Sequence, residues 1–177
     1  MTSKILFIGD SITHGTNWLS KIDFAEVENI AVPGYSTDDV IEQLGTVDLN
    51  SYQVVSLLIG TNDFGNIELD RTGEDVGRRV CEVIDQIIKR SSETQIVVNS
   101  ILPRDLRFTE RIEIANRHIS SYSHDRITYL DCWGALANEN YLRPEFLLED
   151  GFDVHLSESG YEAWAAILLP VLKHSLI

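Results

Sequence analysis

Lys4–Gly9 reads KILFIG, and Asp10-Ser11 follow it directly. Four apolar residues run without a break from Ile5 to Ile8, and a glycine stops them. Unbroken apolar character over so short a stretch is the mark of a strand buried on both faces. Such a strand needs helices on each side of its sheet, which predicts an α/β fold. Further along the chain the same pattern recurs. Val27–Val32 (VENIAV) reads as a second strand, closed by Pro33-Gly34. Tyr52–Ile59 (YQVVSLLI) reads as a third, stopped by Gly60, and Gln95–Leu102 (QIVVNSIL) as a fourth, ending before Pro103. Ile127–Leu130 is a short fifth strand.

Helical patterns fill the gaps. Ser36–Leu44 carries Val40, Ile41 and Leu44 behind a Ser/Thr and acidic start, as a capped helix does. Val76, Val80, Val83, Ile84, Ile87 and Ile88 fall on one face of a long helix. Arg107–Tyr122 shows a weaker stripe through Ile112, Ile114, Ala115, His118 and Ile119. Ser157–Leu172 turns Tyr161, Trp164, Ala165, Leu168 and Leu169 inward, with Pro170 expected to end or kink its last turn. Right-handed crossovers between these strands give a three-layer α/β/α sandwich around a parallel sheet.

The chain has 177 residues, which fits one domain over 1–177. Fourteen basic residues stand against 28 acidic ones, a formal net charge of −14. That balance disfavours nucleic acid and anionic membranes as partners, because both need a basic face. The longest apolar run, Ala163–Leu169, is far too short to span a bilayer, and Ile5–Ile8 is too short for a secretory signal. Cys81 and Cys132 form no CxxC, and Cys81 falls in a helical pattern as a small core residue. The five histidines show no zinc-binding spacing. These features predict a cytoplasmic, reduced protein with no metal and no organic cofactor.

Parallel sheets of this kind bind ligands at the carboxyl ends of their strands. Four loops meet there. They hold Gly9-Asp10-Ser11, then Ala31–Ser36 with Gly34, then Gly60-Thr61-Asn62-Asp63, and finally Asp150–Ser157 with His155. Together they bring a serine, a glycine amide, an asparagine amide, an imidazole and carboxylates to one edge. A serine hydroxyl is a weak nucleophile until a base takes its proton, and His155 is the histidine placed to do so. A nearby aspartate would fix the ring's tautomer. The backbone amides of Ser11 and Gly34 and the side chain of Asn62 could supply an oxyanion hole.

These blocks carry a family resemblance. GDS at 9–11, Gly34 in AVPGYS, GTND at 60–63 and His155 in VHLSESGY resemble the four blocks of the SGNH, or GDSL-type, hydrolases. Their order and spacing match across residues 4 to 173, nearly the whole chain. The resemblance implies a flavodoxin-like sandwich with strand order 2-1-3-4-5. It implies Ser11 as nucleophile, Ser11, Gly34 and Asn62 as the oxyanion hole, and His155 as base. The implied activity is cleavage of small or medium carboxylic esters through an acyl-enzyme. Thioesters and lysophospholipids share that chemistry, and a silent ligand-binding module would share the fold.

One position departs from the family pattern. The acid usually stands three residues before the histidine, where this chain has Phe152. Asp153 lies two before and Asp150 five before. The shorter edit favours Asp153, with Asp150 the alternative and a dyad oriented by a backbone carbonyl the third option.

Other polar residues read more plainly. Asp10 and Asp63 follow strands and are expected to cap helices or brace loops, a two-aspartate Mg²⁺ site being the sharper alternative. His14 lies either at the cleft or on the surface. His118 is read as a core or boundary residue, and His124 and His174 as exposed. Arg104 and Asp105 either border the pocket or form an exposed turn with a salt bridge. Trp133 and Trp164 are read as packing residues. So short a chain leaves little length for a lid, which predicts an open cleft and a small soluble ester as the partner.

Overall fold

The sheet runs from edge to edge as β2 (Glu26–Asn29), β1 (Lys4–Gly9), β3 (Val54–Leu58), β4 (Gln95–Asn99) and β5 (Ile127–Leu130). Every neighbouring pair is parallel. This computed structural model describes residues 3–65 and 69–177. The helices are α1 (Ser11–His14), α2 (Trp18–Lys21), α3 (Thr37–Leu44), α4 (Gly73–Arg90), α5 (Thr109–Ser120), α6 (Trp133–Leu136) and α7 (Glu158–His174). A small antiparallel pair, β6 (Ala137–Asn138) and β7 (Tyr141–Leu142), sits between α6 and α7.

Successive residues of a strand point to opposite faces. In β1, Leu6 and Ile8 therefore meet α3, α4 and α5 through Val40, Leu44, Val80, Ile84 and Ile112. Ile5 and Phe7 face the other way, onto Ile12, Trp18, Trp164 and Leu168 from α1, α2 and α7. Phe7 stacks on Trp18 at 4.5 Å, and Trp164 meets the edge of Trp18 at 5.0 Å. Trp164 is thus a packing residue, as its sequence position suggested. Its indole N–H donates to buried Asn99, whose own amide donates to Ser56 and the Leu57 carbonyl. Two polar residues in central strands are satisfied in this way, which removes most of their burial cost.

The edge strand differs from the sequence reading. The ladder of β2 covers Glu26–Asn29 rather than Val27–Val32, and three of its four residues are exposed. It is an edge, so Glu26 and Glu28 reach water. Beyond the ladder, the Ile30 and Val32 amides still donate to the Phe7 and Gly9 carbonyls. The chain thereby stays beside β1 as far as Pro33.

Two helix expectations are also adjusted. Helix α7 continues through Pro170 to His174. Proline removes the bond to residue 166, and Ala166 is exposed, so its carbonyl can turn to water. His118 is exposed rather than buried, with its Cβ lying over Gly77 of α4. His124 and His174 are exposed as expected, and Cys81 and Cys132 are buried free thiols. Among the described residues, no helix is long and apolar enough to cross a membrane.

Candidate active site

Ser11 opens α1 immediately after β1. The preceding Asp10 makes that turn: its Oδ1 accepts from the Ile12 amide at 2.9 Å as the helix cap. Asp10 is fully buried, and burial pushes its carboxyl up to about 7. Tyr161 of α7 donates its hydroxyl to the Ile12 carbonyl at 2.8 Å and holds the turn from beneath. Ser11 itself is only partly buried.

The imidazole of His155 stands against Ser11, with Nε2 and Oγ 3.0 Å apart. Its Nδ1 lies 2.6 Å from Asp150 Oδ2. With the ring proton on Nδ1, His155 donates to Asp150 and leaves Nε2 to accept from the Ser11 hydroxyl. The bond to His155 holds the Asp150 carboxyl below the usual carboxylate range, so it is ionised at neutral pH.

The carboxylate beside the histidine is therefore Asp150 and not Asp153. The reason lies in the loop. Leu147 and Leu156 pair as an antiparallel bridge, and the Leu148 amide donates to the His155 carbonyl at 2.8 Å. Residues 149–154 are thereby closed into a loop that returns on itself. Gly151 makes the return with φ +89°, a conformation that disfavours side chains with a Cβ. Asp150 Oδ1 accepts from the Phe152 amide at 3.0 Å, and its other oxygen is aimed at the ring. Asp153 is held elsewhere. It accepts from Arg104 at 2.7 Å and from the Asp105 amide at 3.3 Å. Burial opposes its ionisation, but Arg104 outweighs that and holds the carboxyl low.

Gly34 lies on the loop after β2 with φ +85°, and an added Cβ would meet open space. Glycine is set here by backbone conformation, and the absent side chain leaves the peptide approachable. Asn62 lies in the turn after β3, and its Nδ2 donates to the Tyr35 carbonyl at 2.9 Å. That bond ties the Asn62 turn to the Gly34 loop. The amide nitrogen carries a second hydrogen, whose direction the first bond fixes. His14 is exposed, and its Nδ1 lies 3.2 Å from the Ala31 carbonyl, linking α1 to the same loop.

Asp63 is fully buried and braces these loops. It accepts from the Thr37 amide at 3.0 Å and the Thr37 hydroxyl at 2.6 Å, at the start of α3. Arg71 pairs with it and with Asp38. A buried carboxylate already matched by a guanidinium is a structural anchor. The sequence reading named Asp63 as a brace but missed Arg71, since nothing in its surroundings marks its partner. For Arg104 the sequence offers an exposed turn or a pocket border. Its side chain is 12% exposed, donates to the Thr61 carbonyl at 3.0 Å as well as to Asp153, and lies over the Phe108 ring.

Residues 7–163 match the model of the GDSL-like lipase/acylhydrolase family. The chain belongs to that family. It is accordingly a hydrolase of the esterase and lipase type. Among curated proteins none matches the chain. Solved structures share the fold. One is a GDSL-like lipase from Bacteroides thetaiotaomicron, at 17% identity and a TM-score of 0.83, over 98% of this chain and 89% of that one. Another is a lipase/acylhydrolase from Enterococcus faecalis, at 20% identity and 0.76, over 97% and 96%. A carbohydrate esterase family 3 structure from Talaromyces cellulolyticus aligns at 18% identity and 0.74, over 98% of both chains.

Proposed function

We propose that the chain is a serine hydrolase that cleaves carboxylic esters through an acyl-enzyme, with Ser11, His155 and Asp150 as its triad. The observation that carries this reading is the run of contacts from Asp150 through His155 to Ser11, at 2.6 and 3.0 Å. His155 Nε2 takes the Ser11 proton as Oγ attacks the carbonyl carbon. Asp150 keeps the ring in the tautomer with a free Nε2 and stabilises the imidazolium that forms. The tetrahedral oxyanion is received by the Ser11 and Gly34 amides and the Asn62 side chain. His155 returns the proton to the leaving alcohol, and water then cleaves the acyl-Ser11 ester by the reverse path. None of these steps calls for a cofactor.

The deciding experiment combines turnover of a p-nitrophenyl ester with labelling by a fluorophosphonate. Wild type should turn over and label at Ser11. Ser11→Ala should do neither, and its stability should be close to wild type because Ser11 is a partly exposed strand-end residue. More than a tenth of wild-type turnover in Ser11→Ala would overturn the assignment.

A further inference from the structure

The loop after β4 supplies no atom to the chemistry above, yet it holds both sides of the candidate site. Ile101, Leu102 and Pro103 are buried at its start. Asn116 of α5 brackets Ile101, accepting from its amide at 2.8 Å and donating to its carbonyl at 2.9 Å. From this fixed base Arg104 extends, its guanidinium carbon 4.2 Å from the centre of the Phe108 ring. Nη1 donates to the Thr61 carbonyl at 3.0 Å, and Nη2 donates to Asp153 Oδ1 at 2.7 Å. The second Asp153 oxygen accepts from the Asp105 amide at 3.3 Å. Arg104 and Asp153 thus form a strut between the Asn62 turn and the His155 loop.

Each end of the strut bears on a group that the reaction uses. The Thr61 carbonyl belongs to the planar peptide that joins Thr61 to Asn62, so its direction sets where the Asn62 side chain starts. At the other end, Asp153 lies between Asp150 and His155 in the chain. Asp150 stands five residues before His155, two more than the family pattern has, and a longer return has more conformations open to it. The Leu147–Leu156 bridge closes that loop only at its base. Among the described residues, the hydrogen bonds that tie residues 149–154 to another element are those of Asp153 to Arg104 and Asp105.

We propose that Arg104, through its pairing with Asp153, is a positioning residue that sets the Asn62 donor and the His155 base at the separation one tetrahedral intermediate requires, an inference that rests on the ester-hydrolase reading. Arginine suits the task because its planar fork aims two N–H groups in fixed directions, whereas a lysine ammonium is a single point charge. Placement at this level matters, since a shift of about 1 Å in a reacting group can cost about 10²-fold in rate. The strut acts through other residues, so its loss should lower turnover and leave substrate binding as it is.

The test measures kcat and KM for p-nitrophenyl acetate, with folding followed by urea unfolding. Arg104→Gln should lower kcat about tenfold to thirtyfold with KM within about twofold of wild type. Asp153→Asn keeps the size of a partly exposed side chain, so it guards against a misfolded Arg104 variant. It should lower kcat about fivefold, again at constant KM. The double variant should fall within about twofold of Arg104→Gln alone, because a strut already broken at one end has nothing left to lose at the other. Arg107→Gln removes an equal charge from the same loop at an exposed position and should keep kcat within about twofold. Nuclear magnetic resonance supplies a readout free of turnover. The His155 Nδ1 proton and the Asn62 side-chain amide should both shift or broaden in Arg104→Gln, and neither should move in Arg107→Gln. Unchanged kcat in both single variants, a raised KM at constant kcat, losses that multiply in the double variant, or unmoved signals would each overturn the positioning role. Signals that depend on Arg104 in a wild type that cleaves no ester would instead keep the positioning role and overturn the ester-hydrolase reading.

Discussion

Asp150 and Asp153 are three residues apart and have different work. Replacing each by Asn keeps size and removes charge. Asp150→Asn should cut kcat by about 10² or more, because the ring loses the partner that fixes its tautomer. Asp153→Asn loosens a strut and should cost at least tenfold less, and the ranking is read from kcat at one pH with folding checked by circular dichroism. Asn62→Ala should lower kcat by about 10²–10³ with KM little changed, because its amide acts on charge that develops only in the transition state; a raised KM at constant kcat would make Asn62 a ground-state contact instead. Asp10 gives a prediction about stability. Its carboxyl is raised from 3.8 to about 7 by burial, so between those values the folded chain holds a proton that the unfolded chain releases. Its contribution is therefore greatest below about pH 4, falls as pH rises, and levels off above about pH 7. Asp10→Asn keeps a good cap without titrating. The stability of wild type relative to this variant, measured by urea unfolding from pH 4 to 8, should fall across that window, and a constant difference would mean that Asp10 is ionised throughout. At this scale the positions of Ser11, Gly34 and Asn62 could be read because each follows a strand of the parallel sheet, and that of His155 because it stands in the loop before the last helix. That of the acid could not. Which of two carboxylates meets the ring depends on a six-residue loop closed by the Leu147–Leu156 bridge and on the capture of Asp153 by Arg104, 49 residues away.

Helices α4 and α5 pack closely, and two glycines permit it. A Cβ on Gly73 would stand 2.4 Å from the Arg111 carbonyl oxygen, and one on Gly77 would stand 2.7 Å from the His118 Cβ. Both are one turn apart on the face that meets α5. Gly77→Ala gains about 1 kcal/mol of helix propensity, yet it must push two helices apart. The net expectation is a loss of about 1–2 kcal/mol, read as a lower urea midpoint at unchanged slope. A raised midpoint would show that α5 shifts at no cost. The long stripe of α4 was plain in the sequence because Val76, Val80, Val83, Ile84 and Ile87 repeat at helical spacing and are all buried. The glycines escaped notice because their meaning lies in the partner helix. The central strands were legible because they are apolar on both faces. The bounds of β2 were not, since an edge strand needs no such run, and the two-residue strands β6 and β7 carry too few residues to show a period.

Over the whole molecule, acidic residues outnumber basic ones two to one, and the pI is near 4.6. Self-repulsion at neutral pH opposes association of copies, and it vanishes as pH approaches that value. Turbidity at fixed concentration should therefore peak near pH 4.6 and shrink on either side. The proposed triad also spans the molecule. Ser11 and His155 are 144 residues apart, at the first strand and in the loop before the last helix. A ribosome adding about 5–20 residues per second needs roughly 7–30 s to travel from one to the other. For all of that interval a nascent chain carries its serine with no base beside it. Hydrolytic competence would then arrive only with the closing stretch of synthesis, so that a chain stalled or cut short anywhere before His155 releases a fragment unable to attack the esters around it.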